Sequence, residues 1–320
     1  MDHSKQMSRT KVFVSENTML FFAIVLFILC LIVVPRFATS GNLMNIMIQI
    51  SINALIACGM TFVILSDGID LSVGAVAAIA GVVGASWVKL YPDAGILVSL
   101  GIIFATAVGV GTVCGAVNGF CIAKLNVPPF IATLAMMNAA RGLAYVLTDA
   151  KPVFGLPASF GWLGPRKAGP IPVSIILMLF VIIISFIILS KTCFGRYIYA
   201  IGSNREVAKL TGISVLKIRF SVYMISGILS ALAGLVLASK LQNGQATAAS
   251  GYELNAIAAV AMGGTSMSGG RGGIAQTVIG LIVIGIINNA LSLLGVSSYW
   301  QTVSMGVIIL AAVIIDQFRK

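Results

Sequence analysis

Ten apolar stretches succeed one another along the chain, near 19–35, 43–66, 70–88, 94–118, 128–147, 171–190, 218–238, 254–268, 273–292 and 298–316, separated by Gly, Pro, Asn or charged residues. A helix that crosses a bilayer needs about 20 predominantly apolar residues to span roughly 30 Å of hydrocarbon. Inside lipid its backbone must satisfy every hydrogen bond internally. With 59% of residues hydrophobic and 9% charged, against about 25% charged in soluble domains, a soluble fold is excluded. The expected fold is all-α, a polytopic integral membrane protein with about ten transmembrane helices. A cytoplasmic tail over 1–18 precedes a single transmembrane domain over 19–316, and a cytoplasmic tail over 317–320 follows it. No connection is long enough to fold as a separate domain.

The first stretch is longer than the roughly 7 to 15 apolar residues of a secretory signal and reads as an uncleaved helix. The eighth is short and rich in Ala and Gly, so it reads as a half-helix or re-entrant segment lodged among protein or beside a cavity.

The net charge of +11 does not point to nucleic acid, because the 20 Lys and Arg are spread through interhelical loops. Threading the chain with its N-terminus inside places 13 of them in cytoplasmic segments and seven outside or near outer ends, the bias that orients membrane proteins. Both termini are then cytoplasmic. Five cysteines without a CxxC pair and a single histidine, His3, support no disulfide framework, metal centre or Ser-His-Asp triad. No cofactor is expected.

Two short similarities recur at offsets of 170 and 169 residues. Gly115-Ala-Val-Asn118 matches Gly285-Ile-Ile-Asn288, and Leu125–Thr133 matches Leu294–Thr302. They precede helices that cross in opposite directions, as an inverted five-plus-five repeat requires; chance similarity of apolar segments is the alternative.

The cytoplasmic loop over 191–217 has the sharpest local pattern. Ser203-Asn-Arg-Glu206 fits a capping box and Gly212 a helix C-cap, outlining a helix of about two turns that is too short to stand alone in water. Val207, Ala208 and Leu210 offer apolar surface to a support, and Arg205 and Lys209 offer charge. Glu206-x-Ala208-x-x-x-Gly212 resembles the loop by which permease subunits of ABC importers dock on their ATPase subunits. Val207 departs from that pattern, and its later Pro is missing.

A wider resemblance runs through Gly59-Met-Thr-Phe-Val-Ile-Leu-Ser-Asp-Gly-Ile-Asp-Leu-Ser-Val-Gly74, Phe130-Ile-Ala-Thr-Leu134 and Gly195-Arg-Tyr-Ile-Tyr-Ala-Ile-Gly202. It continues through Gly251-Tyr-Glu-Leu-Asn-Ala-Ile-Ala-Ala259, Gly263-Gly-Thr-Ser266 and Leu293-Leu-Gly-Val-Ser-Ser-Tyr299. On these stretches the chain resembles the ribose-type monosaccharide permeases of bacterial ABC importers. The resemblance implies a permease homodimer in the inner membrane, an ATPase pair on the cytoplasmic side and a periplasmic sugar-binding protein. It also makes the segment carrying Ser203, Asn204, Arg205, Glu206, Ala208, Lys209 and Gly212 the ATPase-coupling loop.

The residues agree with that division of labour. The chain has no GxxxxGK[ST] and not even a Gly-Lys dipeptide, so a P-loop is absent, the chain is not expected to be an enzyme, and ATP falls to a partner. Gly269-Gly-Arg-Gly-Gly273 reads as a turn. Asn53, Asn118, Asn255, Gln276, Asn288 and Asn289 fall within spans, where an amide needs a hydrogen-bonding partner. Asn53, Asn118, Asn255, Asn288 and Asn289 either line a sugar pathway or join helices. Phe130 and Tyr299, with Trp300, either stack on a sugar or anchor the interface with lipid headgroups. Asp67, Asp70 and Glu253 stand at helix ends as caps; an ion-gradient-driven secondary transporter using them is the competing reading. Gly111-x-x-x-Gly115-x-x-x-Gly119 and Gly74-x-x-x-Ala78 allow close helix packing. The cargo expected is ribose or a related pentose or hexose, with a nucleoside or signalling furanose as alternatives.

Overall fold

The computed structural model describes residues 18–164 and 166–318; the tail over 1–17, with its basic residues and His3, and Arg319 and Lys320 lie outside the described residues. Among the described residues twelve α-helices follow in order. They are α1 Thr18–Val33, α2 Ser40–Leu65, α3 Val73–Lys89, α4 Ile96–Ala123, α5 Pro129–Thr148, α6 Val173–Lys191, α7 Cys193–Ser203, α8 Arg205–Leu210, α9 Val215–Leu241, α10 Tyr252–Met262, α11 Ile274–Leu293 and α12 Ser298–Phe318. The ten apolar stretches correspond to all of these but α7 and α8.

Among the described residues, six helices, α2, α4, α5, α6, α9 and α11, are long and apolar enough to cross a membrane. Helices α1, α3 and α10 are shorter apolar helices. At 11 residues, α10 reaches about half of the ~30 Å hydrocarbon core. It stops where Gly263 and Gly264 begin a turn that runs to Gly273.

The core forms around α2 and α9. Every residue of α2 from Ile50 to Leu65 is buried. Helix α9 packs along α4, α3 and α2, and glycines determine how closely it lies to α4. A side chain at Gly115 would meet the backbone of Tyr223 and Met224, and one at Gly227 would meet that of Gly111. The small-residue row read from the sequence is thus the seam between two long helices, with dispersion contacts standing in for the hydrophobic effect that lipid abolishes.

The remaining packing has a paired order. Helix α9 lies against α3 and α4 while α2 lies against α10 and α11; α3 contacts α5, and α10 contacts α12. The 149–172 connection folds back on the far end of α9. A 3-10 turn at Ala158–Leu163 is tied there by Ser239 Oγ donating to the Phe160 carbonyl at 2.6 Å. An antiparallel pair, β1 Lys167–Ala168 and β2 Ile171–Pro172, leads into α6.

Candidate functional site

At the bundle end that carries the 149–172 connection, a cleft of about 250 Å³ opens between α2, α10, α11 and α12. Its walls carry Gln49, Ser250, Asn255, Asn288, Ser298, Gln301 and Thr302, together with Leu254, Met305 and backbone at Gly251 and Gly306. Seven of the eleven lining residues carry an amide or hydroxyl and none is charged, which suits a neutral polyol that must be held loosely enough to leave. Helix α10 starts at this cleft because Gly251, at φ 82°, turns the chain into it, and Glu253 accepts the Gly251 N–H at 3.2 Å.

The seven residues expected in a pathway do not stay together. Asn255 and Asn288 line the cleft. Tyr299, 83% exposed, stands on the first turn of α12 beside the lining residues Ser298 and Gln301. Asn289, the neighbour of Asn288, turns away and exchanges two hydrogen bonds with Asn42 of α2, at 2.9 and 2.8 Å. Asn118 on α4 donates to Ser72 Oγ at 2.9 Å. Asn53 lies buried with its amide nitrogen 3.5 Å from the Gln49 carbonyl. Phe130 is at the opposite end, where it lines a recess of about 200 Å³ with Asp67, Gly68, Ile69, Pro129 and Met267. Gln49, Gln301 and Thr302 were missed as lining residues. Gln49 is hidden in an apolar run, and the recurrence of Thr133 at Thr302 was the one signal for the start of α12.

Of the acidic residues at helix ends, Glu253 bonds the N-cap residue of α10, whereas Ser72, the N-cap of α3, has no side-chain cap bond. Asp70 is buried, and its Oδ1 accepts the Ser72 N–H at 3.0 Å and the Ser72 hydroxyl at 2.6 Å, while Oδ2 accepts the Ser226 hydroxyl of α9 at 2.9 Å. These bonds tie the start of α3 to α9 and give the buried carboxylate partners. Desolvation pushes the Asp67 carboxyl above the ordinary carboxylate range, and the Arg219 and Arg205 guanidiniums pull it back. Among the described residues, no three His, Cys, Asp or Glu gather where a metal ion could be held.

At that opposite end, α7 and α8 form the projecting segment. The expected helix around Glu206 is present, but its cap is shifted by one residue. Ser203 ends α7, and Asn204 is the N-cap of α8, accepting the Val207 N–H at 3.0 Å. A side-chain-capping residue before a helix typically adopts extended backbone, and Asn204 does so with φ −160° and ψ 108°. Gly212, at φ 84°, closes the helix as expected. Its N–H donates to the Lys209 carbonyl and the Ile213 N–H donates to the Ala208 carbonyl, both at 3.1 Å. Ala208 is the buried anchor of α8, whereas Leu210 is 86% exposed and Val207 is also exposed. Arg205, Glu206 and Lys209 line a groove of about 440 Å³ with Lys124 and Asn126, and Arg205 donates to Asn126 Oδ1 at 3.1 Å. Exposed Leu and Val beside a mainly basic groove form a surface suited to a protein partner.

A multi-pass bundle of apolar helices with an uncharged polar cleft at one end and a short, largely exposed helix at the other fits a membrane permease. A sequence model of the family described as "Branched-chain amino acid transport system / permease component" matches residues 42–313, and the chain belongs to that family. The ribose import permease protein of Escherichia coli K12 is 44% identical over 97% of this chain and 96% of its own length. That of Bacillus subtilis 168 is 46% identical over 92% and 91%. The L-arabinose transport system permease protein of Escherichia coli K12 is 42% identical over 92% and 88%. No solved structure matches the chain.

Proposed function

We propose that the chain is the permease subunit of an ATP-driven monosaccharide importer in a bacterial inner membrane, carrying ribose or a closely related pentose or hexose. Near-full-length similarity to ribose import permeases carries this reading, and the uncharged cleft supports it. The chain itself is not an enzyme. An ATPase subunit hydrolyses ATP on the cytoplasmic side, and a periplasmic sugar-binding protein delivers the cargo.

In this reading α1 to α6 and α9 to α12 make ten spans, with both termini and the Glu206 segment cytoplasmic. The paired packing order supports an inverted repeat in which α2 to α5 correspond to α9 to α12. Two copies form the conduit. Helix α5 buries only Thr133, Ala140 and Ala144 and leaves Asn138 exposed, and α12 leaves Tyr299, Trp300 and Thr302 exposed. An amide facing lipid is costly, so a second copy, with lipid around the pair, covers these faces and completes the route. ATP-driven closure of the ATPase pair moves the Arg205–Leu210 helix and tilts the helices around the cleft.

The test is reconstitution of the permease with its ATPase and binding protein in proteoliposomes. Ribose accumulation should require all three components and ATP. Accumulation by the permease alone, driven by a proton or sodium gradient and abolished by an uncoupler, would overturn the reading. Competition with arabinose, allose and nucleosides assigns the cargo.

A further inference from the structure

The glycine turn over 263–273 meets both the projecting segment and the start of α11, yet lines neither the cleft nor the groove beside α8. Five of its glycines, Gly264, Gly269, Gly270, Gly272 and Gly273, have positive φ, so the turn has a defined shape that L side chains rarely adopt. On one side it is docked against the projecting segment. The Tyr199 hydroxyl of α7 donates to the Gly272 carbonyl at 2.8 Å. A side chain at Gly202 would strike both the Leu65 carbonyl and the Gly270 nitrogen. The Gly270 N–H in turn donates to the Leu65 carbonyl at 3.1 Å, so α7, the end of α2 and the turn share one contact.

On its other side the turn is continuous with α10, whose first turn lines the cleft. Thr265, 1% exposed, accepts the Gly273 N–H at 3.2 Å, which folds the two arms of the turn together. Immediately before it, α10 is locked to α11, since side chains at Gly263 and Gly280 would strike the backbones of Gln276 and Ala259. Helix α10 is a short rod with Met262 at the turn and Asn255 in the cleft. A displacement of α7 therefore reaches the lining of the cleft through rigid, mutually packed parts.

We infer that Tyr199 is a positioning residue for transport, and that the glycine turn over 263–273 carries motion from the projecting segment to α10 and the cleft. The inference rests on the proposed importer function and adds the route inside the permease.

The test uses the complete importer, permease with ATPase and binding protein, in proteoliposomes, reading sugar imported per ATP hydrolysed and the stimulation of hydrolysis by sugar-loaded binding protein. Wild type is measured first. If its uptake needs no ATPase, the importer reading fails before any variant is read. Tyr199→Phe keeps the ring and removes the donor, and is expected to lower sugar imported per ATP roughly two- to tenfold, the factor that one net hydrogen bond carries. Thr265→Val, which leaves the α7 contact intact, should act in the same direction. Gly101→Ala, where an added methyl meets nothing within 4 Å, should match wild type. A wild-type ratio in both Tyr199→Phe and Thr265→Val overturns the inference, as does a fall in hydrolysis and uptake in equal proportion. If Tyr199→Phe does not assemble, Thr265→Val decides by the same ratio.

Discussion

Helices α2 and α5 are both apolar enough to cross a membrane, yet α2 is enclosed by protein along Ile50–Leu65 while α5 buries three residues. The same contrast separates α9, at the centre of the bundle, from α12 at its margin. In water, apolarity and burial go together; in lipid they do not, because hydrocarbon is as good a neighbour for Leu as another Leu. The inner helices are selected by backbones that approach closely and by hydrogen-bonded junctions. The marginal ones keep exposed polar groups, such as Asn138 and Thr302, that bond carbonyls of their own helix.

The strongest way to break this contrast is at the α4–α9 seam. Gly227→Leu should leave no monodisperse protein in size-exclusion chromatography after detergent extraction, because the added side chain has only the Gly111 and Gly115 backbones to meet. Gly142→Leu on marginal α5, where an added methyl meets nothing within 4 Å, should extract as wild type. Glu206→Lys, or deletion of 205–210, should lower ATP-dependent sugar uptake more than about tenfold, equivalent to ~1.4 kcal/mol of coupling, while protease mapping shows normal insertion. Recovery of full uptake in the deletion variant would refute a docking role for α8.

Adjacent asparagines sharpen the contrast further. Asn289→Leu removes the partner of Asn42 Oδ1, while Asn42 Nδ2 keeps its bond to the Phe37 carbonyl, and should cost about 1 to 3 kcal/mol of stability, read as a lowered thermal midpoint in detergent. Asn288→Leu should change stability by less than about 0.5 kcal/mol and reduce uptake several-fold by making the cleft less polar. Exchange of these two outcomes would mean that the helix face is assigned wrongly. Smallest of all, Asn138→Leu should leave the isolated chain's stability within about 0.5 kcal/mol of wild type and shift the monomer-dimer balance in detergent.

Much of the frame was legible in the chain. Proline at the start of α5, Gly263 after α10, Gly212 after α8 and the glycine row of α4 each set a local geometry with its own chemistry. The α8 cap was read one residue early because Ser203 and Asn204 are both good N-caps, and only the extended backbone at Asn204 distinguishes them. Helix α7 was hidden in the 191–217 loop because Gly195 and Gly202 weaken a helix pattern of 11 residues. Those glycines are there for tertiary contact. Gly195 lies against the backbone of Ile188 and Leu189, and Gly202 against Leu65 and the glycine turn.

Lipid-spanning length, the breaks between helices and the absence of a nucleotide-binding loop follow from the residues alone, because each depends on a run or a motif local in the chain. Which asparagine faces the cleft, why α2 rather than α5 lies at the centre, and how α7 reaches α10 were decided by tertiary packing. A helix apolar on every side has no preferred face of its own. Its orientation is set by the neighbours that come close enough to exclude lipid.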